Sequence, residues 1–287
     1  MSLLATNLQT FMAIVSRGTV HGAAADVHLT QTGVTQRIRS LENELGATLF
    51  LRSRQGMKLT PEGEALLRYC RSAIELEGVT LSHLQKAGSE SPISLTIAGP
   101  TSAMASRVAA ACEKIYKDWP KLQLNLVVTD HQNRLNLVRT GDASLAIVSP
   151  EQVPFEMESK RLKPDKYCLV ASAAWKGRSL GDVLANERVI DFDEQDPTTL
   201  NYLRKFKLLE QLKRPRLYVN SNEIIINFFR RAIGFGTLTH DIAKPFLDSG
   251  ELITLNNGAV LEDLLALVWY ARPQMSPYFQ TILKAIK

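Results

Sequence analysis

The sequence is poor in the patterns that mark enzymes, metalloproteins and exported proteins. Its 287 residues hold three cysteines, Cys70, Cys112 and Cys168, far apart and with no CxxC pair. That argues against a disulfide framework or a zinc finger and points to a reducing compartment. The five histidines, His21, His28, His83, His131 and His240, match no HExxH or other metal spacing. There is no GxSxG nucleophile turn and no GxGxxG phosphate loop. The acidic run "DFDEQD" (191–196) lacks the glycine and terminal glutamate of an EF-hand. Asp130 and His131 stand together without a candidate nucleophile. No catalytic residue, metal or cofactor is therefore expected. No secretory leader is evident, and the apolar run "LLALVWYA" (264–271) is too short to span a bilayer. A cytosolic protein with no membrane partner is the expectation.

What the sequence does hold is basic charge gathered at its front. The formal net charge is +5. Residues 1–60 carry Arg17, Arg37, Arg39, Arg52, Arg54 and Lys58 against only Asp26, Glu42 and Glu44, whereas 61–90 lean acidic. A localised basic face suits an anionic partner.

"LLATNLQTFMAIVSRGTV" spaces Leu4, Leu8, Phe11, Met12 and Val15 as an amphipathic helix ended near Gly18. "VHGAAADVHL" follows, with Ala24 and Ala25 small enough for a close helix crossing. Thr30 is a good N-cap for "QTGVTQRIRSLENELG", whose apolar stripe is Val34, Ile38, Leu41 and Leu45, with Gly46 as the stop. The opposite face carries Thr32, Gln36, Arg39 and Asn43, flanked by Gln31, Thr35 and Arg37. Two short helices at a tight turn, the second with a polar and basic face, form the helix-turn-helix plan, whose second helix enters the DNA major groove. Gln can read adenine, and Arg can read guanine or hold phosphate. "TLFLRSRQGMKLT" then reads as a hairpin around Gln55-Gly56, basic at Arg52, Arg54 and Lys58, suited to lie along phosphates. A charged helix face alone would more often be a solvated one; the complete succession of elements reverses that.

These residues resemble the winged helix-turn-helix of LysR-type transcriptional regulators. The resemblance rests on Gly18, Ala24, Ala25, Leu29, Thr30-Gln31, Val34-Thr35, Ile38, Leu41-Glu42, Leu45-Gly46, Leu49-Phe50, Arg52, Leu59-Thr60 and Gly63. Val20 and His21 depart from the family's usual aromatic and threonine at those places. Thr60-Pro61 then starts a helix to about Ala87, roughly 40 Å long. Its residues Leu67, Cys70, Ile74, Leu81 and Leu84 lie near a 3.5-residue repeat, interrupted by Glu77. That stripe could pack on the chain's own core or form a dimer seam, and the resemblance implies the seam. "KAGSESP" (86–92) reads as a linker.

From residue 93 strands alternate with helices, which implies a parallel sheet. This part resembles the LysR effector-binding region, built like a periplasmic binding protein. The expected fold is thus α/β: a winged helix-turn-helix at 1–60, a linker helix and hinge at 61–92, and a two-lobed effector domain at 93–287. Lobe I would take 93–163 and 269–287, lobe II 164–268. Ser144 and Thr239 replace the family's usual Asp and Pro. "VIDFDEQD" and "VNSNEIIINFFRRAIGFGTL" look most like the subgroup controlling arginine and lysine export.

Ligands in such folds sit at the carboxyl ends of strands. Thr101 and Ser102 follow the first strand at a helix start, where N–H groups and hydroxyls can hold a carboxylate. Asp130 follows the second strand and Ser149 the third; Asp191, Asp193, Asn222 and Glu223 come from the other lobe. A carboxylate binder facing several acids suits an amino acid, above all lysine or arginine. Ordinary capping and solvated loop acids explain the same residues about equally well. The resulting expectation is a regulator that binds double-stranded DNA as a homodimer or dimer of dimers and answers to an amino acid or small carboxylate. The rivals are a small-molecule-binding protein without a transcriptional role and an α/β enzyme.

Overall fold

The computed structural model describes residues 4–53, 56–84, 94–129, 131–272 and 275–287. Its front opens with helices α1 (Thr6–Arg17), α2 (Val20–Asp26) and α3 (Gln31–Leu45). Local chemistry sets their ends. Gly18 (φ 69°) closes α1 in the left-handed region, Thr19 Oγ1 accepts the Gly22 N–H at 3.0 Å to start α2, and Thr30 Oγ1 accepts the Gly33 N–H at 3.1 Å to start α3. Phe11, Ile14, Ala23, Ala24, Val34, Ile38 and Leu41 form the core with Leu49 and Phe50. Two expectations are corrected here. Ala23, not Ala25, shares the crossing with Ala24, and Leu45 is about half exposed because the stripe drifts off the core at the last turn.

Strands β1 (Phe50–Ser53) and β2 (Gly56–Leu59) form an antiparallel ribbon. Gly56 has φ 116°, and a Cβ there would stand 2.6 Å from the Gly18 carbonyl oxygen. Glycine is required because the Met57 N–H bonds that same oxygen at 2.9 Å, fastening the ribbon to the end of α1. Helix α4 (Pro61–Leu84) begins at Thr60, whose Oγ1 accepts from the Gly63 N–H and donates to the Thr48 carbonyl.

The stripe expected on α4 divides. Leu67 and Cys70 are buried in the front core, so there the local-packing alternative holds. Ile74 is exposed, and the side chains of Leu81 and Leu84 lie outside the described residues, as does 85–87. Among the described residues of α4, the large apolar side chains that are exposed are Tyr69 (60%), Ile74 and Leu76 (66%), with Tyr69 and Leu76 one heptad apart.

Next come β3 (Ser94–Gly99), α5 (Thr101–Ala103), a π turn at Met104–Val108, α6 (Ala109–Asp118), β4 (Gln123–Val128), α7 (His131–Thr140), β5 (Leu145–Val148) and β6 (Met157–Arg161). Then follow β7 (Asp165–Ser172), α8 (Leu180–Asn186), β8 (Ile190–Asp191), α9 (Thr198–Lys205), β9 (Leu217–Tyr218), α10 (Asn222–Arg230) and β10 (Gly236–Thr239). The chain closes with α11 (His240–Asp248), β11 (Leu252–Thr254), β12 (Val260–Asp263), β13 (Ala266–Tyr270) and α12 (Pro277–Ala285). One sheet has the order β4-β3-β5-β13-β6, with β3 parallel to β4 and β5. The expected parallel sheet does not extend to β7, which pairs antiparallel with β10, β11 and β12. Strands β10 and β11, joined through α11, flank β7 and run parallel to each other, and β12 continues the line of β11 past the turn at Asn256–Gly258, so β7 alone runs against its neighbours.

Compactness divides the chain into two units, 1–99 with 115–146 and 269–273, and 100–114 with 147–268 and 274–287. In the second unit, β7 is covered on both faces. Leu169 and Ala171 pack with Trp175, Val183, Leu184, Tyr202 and Phe235. Cys168 and Val170 pack with Ile225, Phe229 and Ala243.

Candidate DNA-binding face and effector site

Helix α3 buries Val34, Ile38 and Leu41 and turns Thr32, Gln36, Arg39 and Asn43 to solvent. Gln31 is also exposed, 2.9 Å from His21 Nδ1, and so ties the start of α3 to α2. Thr35 is half-buried. Arg37 turns back instead, donating to Thr10 Oγ1 at 3.3 Å and bracing α3 on α1. Glu42 is structural as well, accepting the Leu49 N–H at 2.8 Å.

The ribbon register separates the expected wing cations. Arg52 pairs with Met57 and shares a face with buried Phe50, whereas Lys58 pairs with Leu51 on the other face. Arg52 joins Arg39 in lining a concavity of about 360 Å³ between α3 and the ribbon. Arg54 lies outside the described residues.

The second unit holds a cluster that the sequence did not reveal. Antiparallel pairing sets Asp263 opposite Asp165 and both Thr239 and Leu261 opposite Tyr167. Directly paired residues share a sheet face, so Asp165, Tyr167, Thr239 and Asp263 stand together at one end of the sheet. The Tyr167 hydroxyl donates to Ser102 Oγ at 3.4 Å. Asp165 is 6% exposed, and its Oδ1 accepts from Arg107 Nε at 2.9 Å; Arg107 also holds the Lys163 carbonyl at 2.5 Å. Asp165 Oδ2 and Thr239 Oγ1 are buried without a hydrogen-bond partner. Such atoms are costly unless something satisfies them. Burial, reinforced by the charges of Asp165, Glu151 and Asp196, pushes Asp263 up to about 6. Burial also raises Tyr167, against the opposing bond to Ser102.

The expected effector residues fall out unevenly. Ser102 is in the cluster, and Thr101 precedes it at the start of α5. Ser149 is half-buried ahead of the turn Pro150–Gln152. Asp191 is buried and ion-paired to Arg216 at 2.9 Å, with burial raising its pKa against the bonds from Thr199 and Arg216. Its charge is answered within the chain. Asp193 is exposed, and its Oδ1 accepts the N–H groups of Gln195 and Asp196, a turn-forming role. Asn222 and exposed Glu223 open α10, whose cap is Ser221 rather than Asn222. Asp130 lies outside the described residues. No His/Cys/Asp/Glu group among the described residues could hold a metal ion, and no described helix is long and apolar enough to cross a membrane.

A capped helix-turn-helix with a basic ribbon, followed by an α/β region holding a buried polar cluster, defines a DNA-binding protein with a ligand-sensing part. The model of the bacterial regulatory helix-turn-helix protein, lysR family, matches residues 5–64, and that of the LysR substrate binding domain matches 90–287. The chain belongs to the LysR family and is a transcriptional regulator. It is 26% identical over 249 residues to the regulator ArgP of Aeromonas salmonicida, covering 85% of this chain and 83% of that one. With MetR of Escherichia coli K12 it shares 24% over 289 residues, 98% and 89% of the two chains. The fold is similar to full-length LysG of Corynebacterium glutamicum with bound effector Arg (TM-score 0.78, 24% identity, covering 99% and 96%). It is also similar to ArgP of Mycobacterium tuberculosis (TM-score 0.80, 22% identity, covering 99% and 96%).

Proposed function

We propose that the chain is a dimeric regulator without enzymatic activity, whose effector is a small cationic amino acid, arginine or lysine. On the DNA side, Gln31, Thr32, Thr35, Gln36 and Arg39 read or hold the duplex, Arg52 and Arg39 take phosphate, and Arg54 and Lys58 add basic charge to the wing. Arg37 acts indirectly, by bracing α3. Tyr69, Ile74 and Leu76 on α4 form the dimer seam, supported by their exposure on a long helix.

The effector sits at the Ser102–Tyr167–Asp165–Asp263 cluster. Ser102, Thr101 and Tyr167 meet its carboxylate and amino group, and Asp263 answers the cation, with Asp196 and Glu151 adding negative potential. Ser149, Asn222 and Glu223 are outer members of the site. Asp191, already paired with Arg216, stabilises the fold and does not take the ligand's charge. The observation that carries this reading is the buried, unpartnered pair of atoms Asp165 Oδ2 and Thr239 Oγ1 beside an acid raised to about 6. The similar LysG fold, with its bound effector Arg, supports the same class of ligand. Against catalysis, burial raises all three thiols, Cys70 up to about 11, which makes them poor nucleophiles.

The test is DNA binding to the protein's own promoter region with and without arginine or lysine. A preference over random DNA that either amino acid changes is the expected result. Equal affinity for random DNA rejects the operator reading, and indifference to both amino acids rejects the effector class.

A further inference from the structure

Away from the effector cluster, the first unit contains a cavity of about 300 Å³ whose charged lining is Arg68, Arg71, Arg272 and Asp142. Among the described lining residues, three guanidinium groups meet one carboxylate. Arg68 and Arg71 are held in place. Arg68 Nη1 donates to the Arg139 carbonyl at 2.7 Å, and its guanidinium lies 4.4 Å from the Tyr270 ring centroid. Arg71 bonds the Thr140 carbonyl and pairs with Asp142 at 2.5 Å. Those carbonyls belong to the last turn of α7, where the helix dipole favours positive charge. The turn approaches α4 closely: Gly141 has φ 78°, and a Cβ there would stand 3.0 Å from Arg71 Cδ. The hydroxyl-bearing residues Thr96 and Ser144 also line the cavity.

We propose that this cavity binds a small oxyanion carrying two or more negative charges, such as phosphate or a short dicarboxylate. Arginine recognises such groups through its planar fork of donors, and arginines fixed before binding lose less freedom on binding. The arginine forks match the several oxygens of such an oxyanion, which a spherical chloride lacks. A ligand there bridges α4 and the α7 turn within one unit, so it stabilises their packing. This site is independent of the amino-acid site proposed above.

The experiment is thermal unfolding and calorimetry of the full chain with inorganic phosphate, and separately malonate, at constant ionic strength set with sodium chloride. A saturable rise in the unfolding midpoint, with binding heat, is expected for at least one of the two dianions. Arg272→Gln should weaken the apparent dissociation constant by about tenfold or more, equivalent to about 1.4 kcal/mol. Ser144→Asp, which adds a carboxylate to the lining, should abolish the response even if Arg272→Gln fails to fold. The DNA-binding face is the rival anion site, so the double variant Arg39→Ala/Arg52→Ala must keep the response. Binding of both dianions assigns the site to dianions generally, and binding of phosphate alone to phosphoryl-type anions. The proposal is overturned if neither dianion exceeds chloride, if Ser144→Asp leaves the response intact, or if the response disappears in Arg39→Ala/Arg52→Ala.

Discussion

At α3, Thr32, Gln36, Arg39 and Asn43 stand in solvent, whereas at the ends of β7 and β12 Asp165 is buried and Tyr167 and Asp263 are half-buried. Under the proposed function both regions meet a charged partner. The first serves a polyanion that brings its own counterions, so its cations can remain hydrated and act through many weak, salt-sensitive contacts. The second, on the same proposal, serves a single small ligand. It concentrates charge where water is scarce, which strengthens each contact and perturbs ionisation. The two regions cost the fold unequally. The α3 face asks little of stability, while the strand-end cluster leaves the buried Asp165 Oδ2 and Thr239 Oγ1 without a hydrogen-bond partner in the chain.

The sharpest way to break this contrast is at Arg107. Replacing it by methionine leaves Asp165 buried without its cation, and a loss of about 3–5 kcal/mol in urea-unfolding free energy is expected. A loss below about 1 kcal/mol, the range of exposed pairs, would mean the region is as solvated as α3. At α3 itself, Gln36→Ala should leave the unfolding curve unchanged and remove about 1–3 kcal/mol of base discrimination, read by gel shift on matched and mismatched sites. If it destabilises the fold instead, the face is not free for DNA. On α4, Leu76→Glu should shift the light-scattering mass toward the monomer without altering the unfolding of each chain, because the residue is exposed. An unchanged mass at low concentration removes Leu76 from the seam.

The smallest effect concerns pH. Asp263 is raised from the ordinary range near 4 to about 6, so its contribution to stability is fully present below about pH 4. It is lost as pH rises through about 6, because the unfolded chain gives up that proton first. Asp263→Asn should therefore flatten the fall in stability between pH 4 and 7, measured by thermal unfolding. A parallel fall in wild type and variant would assign the slope to other groups.

Much of the front was legible from local signals. Thr30 and Gly46 bound α3, Thr60-Pro61 starts α4, and the Val34–Ile38–Leu41 stripe fixes which face is wet. Where local spacing failed, tertiary packing decided. Leu67 and Cys70 have the period of a seam, but the front core is near enough to bury them. Asp191 looks like a ligand carboxylate until Arg216, 25 residues on, is found beside it. The Asp165–Asp263 pair was hidden for the same reason. Nearly a hundred residues separate its members, and only the antiparallel return of β12 onto β7 brings them face to face. Thr239, noted as a departure from the family's proline, supplies one of the two unpartnered oxygens there.

On the proposed function, a cationic amino acid is held at the Asp263 cluster and not at Asp191. Calorimetry of arginine and lysine binding tests it most directly, on the wild type, Asp263→Asn and Asp191→Asn between pH 5 and 7.5. Wild-type affinity should rise as pH climbs through about 6, since the ligand's cation favours the ionised Asp263. Asp263→Asn should weaken binding about tenfold or more and abolish that pH dependence, while Asp191→Asn lowers stability and leaves affinity nearly unchanged. No heat from either amino acid at millimolar concentration, or a loss of affinity in Asp191→Asn with Asp263→Asn unaffected, would contradict the account.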